Sequence, residues 1–306
     1  MNYLSIIKRN KIKTALLFCL IFNILFIHFY LPKIFIEPNN FIVKLINGNP
    51  IKIHPKSLEL KNESFEILTN DNLKIRGFKI FTKQKNAKGT IILLHGIRAY
   101  KEHFLVICKM LSKIGYNSVI IDLRGHGESE GKYCTFGYNE KYDIKKVVNE
   151  IINDKRLNNT IGIWGQSLGG AISLQTLAID KRIKFGIVES TFSDLDLVSK
   201  AYISRLLKID NELVTNYLIN RSNIIGRFDS SKIKPKESAK NITQPILLVH
   251  GTKDKRINIK HAEINFKNLA SQNKTLLKIK DANHINVWKK GRAKYFNQVF
   301  NFIEKH

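Results

Sequence analysis

Cysteine is scarce in this chain, with Cys19, Cys108 and Cys134 the only three among 306 residues. No C-x-x-C pair occurs, which excludes a zinc signature and a disulfide framework, so free thiols are expected rather than a Cys108–Cys134 pair in an exported domain. Acidic residues are also few: 25 Asp and Glu against 51 Lys and Arg, a net charge of +26. Such an excess suits an anionic partner. The cations, however, are mostly lysines scattered among Asn and Ile, with no dense basic run and no nucleic-acid-binding motif. Compositional bias is therefore the first reading, attraction to an anionic membrane the second, and nucleic acid is not expected as a partner. H-E-x-x-H, a Walker loop and a carboxylate cluster are missing too, so neither a metal nor another cofactor is expected. "GHGESEG" places Glu130 where a dinucleotide loop needs its third glycine. A hydrophobic content of 43% is enough for a sizeable core, in one globular domain plus a short extra segment.

That segment is N-terminal. After Lys8, Arg9, Lys11 and Lys13 comes "ALLFCLIFNILFIHFYL", Ala15 to Leu31, which with Ile34, Phe35 and Ile36 approaches the roughly 20 apolar residues a bilayer requires. No A-x-A-like cleavage site follows, which favours an uncleaved anchor over residues 1–36. Only Lys33 directly follows the run, so the positive-inside bias predicts a cytoplasmic N-terminus and an extracytoplasmic body. Residues 37–63, polar and carrying Pro50 and Pro55, read as a connector.

Residues 64–306 carry a regular pattern. "SFEILT" and "LKIRGFKIFT" around "NDN" predict a β-hairpin. Short apolar runs then recur, "TIILLHG", "YNSVIIDLRG", "TIGIWGQS", "FGIVES", "PILLVHG" and "TLLKIKDANH", most of them separated by segments of helical spacing. Strands apolar on both faces and alternating with helices predict a parallel sheet covered on both sides. The long gap after "FGIVES" holds two amphipathic helical stretches, "DLVSKAYISRLL" and "ELVTNYLINRS", and predicts a cap over about 195–238.

Gly165-Gln166-Ser167-Leu168-Gly169 lies between the strand "TIGIW" and the helix "AISLQTLAI". In a G-x-S-x-G turn the serine is strained and the flanking glycines avoid collisions with the neighbouring strand and helix. The turn would present Ser167 as a nucleophile at the carboxyl edge of the sheet. A hydroxyl needs a base, and the base an orienting acid. His284 and Asp254 follow the last two strands and fall at the same edge, in the order Ser, Asp, His. Asp194 ends another strand and remains an alternative acid, whereas Asp281 is too close along the chain. The oxyanion formed on attack would meet Leu168 N–H and Ile97 N–H, the latter after "TIILLHG". His95 is expected to brace that loop, and His126 to be structural.

Taken in order, "LLHGIRAY", "DLRGHGESEG", "GQSLGG", "LLVHGTKD" and "ANH" resemble the α/β-hydrolase superfamily. Within it the chain is similar to membrane-anchored bacterial serine hydrolases of the Bem46-like and serine-aminopeptidase-like (lysophospholipase-type) branches. The resemblance covers roughly Ser64 to the C-terminus. It implies a mostly parallel eight-stranded sheet and assigns Ser167, Asp254 and His284 to the triad, with Ile97 and Leu168 at the oxyanion hole. Where that family commonly has an aromatic residue or glycine after H-G, this chain has Ile97. The expectation is a tethered serine hydrolase acting on small-molecule or lipid esters or thioesters, with lysophospholipid among the candidates. A peptidase using the same triad and a non-catalytic binding protein of the same fold are the alternatives.

Overall fold

The computed structural model describes residues 3–41, Leu45 and 53–306. Eight strands form one sheet: β1 (Lys61–Leu68), β2 (Lys74–Phe81), β3 (Gly89–Leu94), β4 (Tyr116–Ile121), β5 (Ile161–Gln166), β6 (Ile183–Glu189), β7 (Ile246–Gly251) and β8 (Lys274–Ile279). Their order is β1-β2-β4-β3-β5-β6-β7-β8. The β1-β2 and β2-β4 pairs are antiparallel, and all others are parallel. β1 and β2 form the expected hairpin, with Ile67 opposite Ile75 and Asn72 at φ 62° in the turn.

β3, β4 and β7 are buried along their whole length, so alternate residues feed opposite layers. Ile92 and Leu94 join a core with α4 (Glu140–Asn153) and α5 (Leu168–Ile179). Ile91 and Leu93 face α3 (Leu105–Lys113) and α10 (Val287–Lys305). Cys134 belongs to the first core and Cys108 to the second; both are buried free thiols, which excludes their pairing. This is the α/β-hydrolase fold.

Between β6 and β7 the chain forms three further helices. The Asp194 carboxylate accepts from Leu197 N–H (3.3 Å) and starts α6 (Leu195–Leu207). Asn211 does the same for Val214 N–H (3.1 Å) at the head of α7 (Glu212–Gly226), and the short α8 (Pro235–Ala239) leads back to the sheet. α9 (Lys260–Asn268) then links β7 to β8.

The N-terminal helix α1 (Tyr3–Leu25) passes through a π-helical turn at Phe26–Tyr30 into α2 (Leu31–Ile36). Pro32 causes the irregularity: without an N–H it cannot bond the His28 carbonyl four residues back. That carbonyl accepts instead from Arg221 Nε on α7 at 3.4 Å. Lys11–Ile36 is long and apolar enough to cross a membrane. The expected connector, 37–63, is described only at 37–41, Leu45 and 53–63, and Pro50 lies outside the described residues. Its described part is packed rather than detached: Asn40, Pro55 and Leu60 are buried, and β1 already begins at Lys61.

Candidate active site

β5 ends at Gln166, and the chain turns through Ser167 into α5. Ser167 has φ 54° and ψ −112°, a backbone that non-glycine residues rarely adopt. A Cβ on Gly165 would strike the Gly169 carbonyl and Ser173 Oγ, and one on Gly169 would strike the Leu94 carbonyl. The tight turn therefore needs glycine at both positions. Ser167 N–H donates to Glu189 O (2.8 Å), and Thr191 Oγ1 donates to Ser167 O (2.8 Å). These two bonds hold the strained residue from the neighbouring strand end.

His284 sits in the loop between β8 and α10, with Nε2 2.9 Å from Ser167 Oγ and Nδ1 2.7 Å from Asp254 Oδ2. An ionised Asp254 fixes the Nδ1–H tautomer and leaves Nε2 free to accept the serine proton. Asp254 is fully engaged. Its Oδ1 accepts from Arg256 N–H (2.8 Å) and Ile257 N–H (2.9 Å), while His250 Nε2, at 3.4 Å from Oδ2, donates to Ile257 O at 2.8 Å. Burial opposes the Asp254 charge, but the imidazoles of His250 and His284 and the loop N–H groups outweigh it. The carboxyl is held well below the usual carboxylate range.

Asp194 is committed elsewhere, capping α6 and pairing with Lys236 at 2.8 Å, and Asp281 is an exposed partner of Lys253. His95 is fully buried, with Nδ1–H donating to Gly96 O (2.8 Å) and Nε2 accepting from Leu123 N–H (3.1 Å), so it ties the β3 loop to the β4 loop. Burial pushes its pKa down to about 4. His126 packs edge-on against it with ring centroids 5.0 Å apart, and burial lowers its pKa to about 3. Gly96 lies against the nucleophile turn, since a Cβ there would come within 3.4 Å of Ser167 Cβ. Ile97 and Leu168 both border the cavity that Ser167 and His284 share.

One participant was not anticipated from the sequence. Glu189, fully buried at the end of β6, accepts from Gln166 Nε2 (2.8 Å), Trp288 Nε1 (2.7 Å) and Tyr295 Oη (2.6 Å). Burial raises its pKa, against the pull of those three donors. Through Trp288 and Tyr295 it fastens α10, the helix that follows His284, to the strand that flanks Ser167. An acidic residue closing the otherwise apolar run "FGIVES" was the available signal.

The cavity has a volume of about 910 Å³, near the top of the range of roughly 300–1,000 Å³ usual for ligand sites. Phe136, Phe192 and Phe228 supply part of its apolar lining, and Phe35 and Ile36 of the N-terminal segment form one wall. Arg98, Arg205 and Arg256 also border it, whereas no Asp or Glu does among the described residues.

Residues 102–306 match the family described as the prolyl oligopeptidase family. The chain is 23% identical over 269 residues to the uncharacterized protein YqkD of Bacillus subtilis, covering 86% of each. It is 24% identical over 159 residues to dipeptidyl peptidase 4 of Trichophyton rubrum, covering 50% of this chain and 19% of that one. Among solved structures, the Pyrococcus furiosus esterase Pf2001 superposes with a TM-score of 0.69 at 25% identity, over 84% of this chain and 97% of the esterase.

Proposed function

This chain is a serine-hydrolase-type enzyme belonging to the prolyl oligopeptidase family, and from that premise we propose that it cleaves carboxylic esters through an acyl-enzyme. The observation that carries this reading is the unbroken chain from Ser167 Oγ through His284 to Asp254, opening on an apolar cavity. Ser167 Oγ attacks the carbonyl carbon as His284 Nε2 takes its proton, and the carbonyl oxygen becomes an oxyanion facing Ile97 N–H and Leu168 N–H. Collapse breaks the bond to the alcohol, which leaves with the proton from His284. Water, deprotonated by the same nitrogen, then releases the acid and restores Ser167.

Esters are favoured over peptides by the charge of the lining. A free peptide amino group would meet three arginines and, among the described residues, no carboxylate in the lining. Peptidase activity nonetheless has a specific observation behind it, the family match together with the dipeptidyl peptidase relative. In the same proposal the N-terminal helix is a retained anchor with its start in the cytoplasm, and 195–238 is the cap.

Fluorophosphonate labelling of the full-length protein in detergent tests the chemistry. Wild type is expected to label and Ser167→Ala to remain unlabelled. Side-by-side turnover of p-nitrophenyl esters and dipeptidyl anilides separates the two substrate classes, with faster anilide cleavage replacing the ester reading.

A further inference from the structure

The apolar N-terminal helix runs straight into the wall of the cavity. On α7, Tyr217 Oη meets His28 Nδ1 (2.5 Å), Arg221 meets His28 O and Ser222 Oγ donates to Pro32 O (3.3 Å). A Cβ on Gly226 would lie 3.2 Å from Ile36, which is itself 1% exposed. On the body, Arg98 Nη2 donates to Ile34 O (2.8 Å) and Cys134 N–H to Ile36 O (2.8 Å). Arg98 directly follows Ile97, so the segment leaving the helix is bonded to the loop beside the proposed oxyanion site.

These pairings set a level. Positions 28, 32 and 36 meet 217, 222 and 226, so α2 and α7 run side by side in the same direction. The uncharged stretch between Lys13 and Lys33 covers roughly 28 Å of helix, close to the hydrocarbon thickness of about 30 Å. The contact of Tyr217 with His28 lies roughly 7 Å inward of Lys33 on that scale. The α6–α7 hairpin is thus held beside the outer part of the apolar span. On its outward side the hairpin exposes Leu213 (80%), Leu206, Ile209 and Tyr217, interleaved with the exposed charged side chains of Arg205, Lys208, Asp210 and Glu212. Exposed apolar residues continuous with a membrane-crossing helix mark a surface that a bilayer covers.

The cavity opens in the same layer, with Phe35 from α2, Tyr202 and Leu206 from α6 and Ile219 from α7 along its border. We propose that the α6–α7 hairpin is a second membrane-seated element, and that the substrate is an acyl-ester lipid drawn directly from the bilayer. Its acyl chain enters between α2 and the hairpin, and an anionic headgroup meets the exposed Arg205 and Arg256. This inference rests on the Ser167 reading above and adds the source of the substrate. It also requires the N-terminal helix to stay attached, because its loss would remove a wall of the site.

The test uses the full chain in vesicles of phosphatidylcholine and phosphatidylglycerol. An environment-sensitive fluorophore on Leu213→Cys, in a Cys19→Ser background, is expected to shift to the blue and to be quenched by lipid-borne quenchers. Cys108 and Cys134 are buried, which leaves the new thiol as the reactive one. Water-like emission there overturns the proposal. Ile209→Glu combined with Leu213→Glu is expected to lower kcat/KM on vesicle-borne lysophosphatidylglycerol on the order of tenfold, through lost apolar insertion. Turnover of p-nitrophenyl butyrate in detergent should stay within about twofold, as for other exposed substitutions. Undiminished lipid turnover, or equal rates on vesicle-borne and monodisperse lipid, assigns the substrate to the aqueous phase and overturns the idea. If the double variant also loses the soluble ester, the fluorophore on the singly substituted protein decides. A wild type that neither labels with fluorophosphonate nor cleaves the soluble ester removes the hydrolase reading itself, independently of what the fluorophore reports.

Discussion

Around Asp254 and Glu189 the carboxylate oxygens are held by hydrogen bonds of 2.6–2.9 Å, whereas the wall made by α2, α6 and α7 is joined largely by apolar packing. In the first region all four carboxylate oxygens are taken up. The second leaves Leu206, Ile209 and Leu213 facing outward. Groups that must meet a developing charge are preorganised by directional bonds, which cost nothing further when the charge appears. A wall that receives a variable chain needs only shape and apolar area, and packing tolerates adjustment that a hydrogen-bond network does not.

Substitutions sharpen this contrast. Ser167→Ala or His284→Ala is expected to lower kcat about 10⁶-fold, since triad members act as a unit, while circular dichroism stays native. Asp254→Asn, which permits the wrong imidazole tautomer, should cost about 10⁴-fold. Near-normal turnover in that variant would return the acid role to Asp194. Gly169→Ala forces a methyl group into the Leu94 carbonyl and is expected to destabilise by about 3 kcal/mol or more in a denaturant titration.

The buried histidines give the floor a pH signature. His95 and His126 are neutral in the fold, with pKa values pushed down to about 4 and about 3. The unfolded chain takes up those protons near the ordinary value of about 6.5. The stability they confer is therefore complete above pH 6.5 and declines as pH falls toward 4 and 3. For His95 the full loss is on the order of 3 kcal/mol. Asp254 adds a loss in the same direction at lower pH, because its carboxyl is lowered in the fold and its contribution disappears on protonation. The melting temperature is expected to drop between pH 7 and pH 4.5, and less steeply in His126→Gln. A flat profile over that interval contradicts the buried neutral pair.

Glu189→Gln replaces a carboxylate serving three donors by an amide with one acceptor oxygen. A cost of about 1–3 kcal/mol is expected, seen as a lower melting temperature together with a reduced kcat. Phe35, edge-on to Tyr202 at 6.1 Å, belongs to the wall. Phe35→Ala should raise KM for long-chain esters roughly tenfold through lost apolar contact, and leave kcat on short esters unchanged. An equal effect on short and long esters would show that the wall also shapes the chemistry.

Much of the molecule was legible along the chain because its signals are local. The hairpin, the run of buried strands and the two helices after β6 follow from residue periodicity. The strained turn at Ser167 follows from two glycines placed two residues to either side, and His284 from its position at a strand end. Asp254 was the preferred acid along the chain, but Asp194 stayed open as an alternative, since both end strands at the same edge. Only the folded chain shows Asp194 consumed by its own helix and by Lys236, and Asp254 within 2.7 Å of the imidazole. Glu189 was hidden for a similar reason, its three partners being side chains at 166, 288 and 295. The sequence by itself determined the elements, their order and the residue types able to carry the chemistry. Tertiary structure alone decided that the end of the apolar helix becomes a wall of the cavity. That wall is held by contacts such as Pro32 with Ser222, 190 residues apart, whose existence depends on how α7 packs against the N-terminal segment.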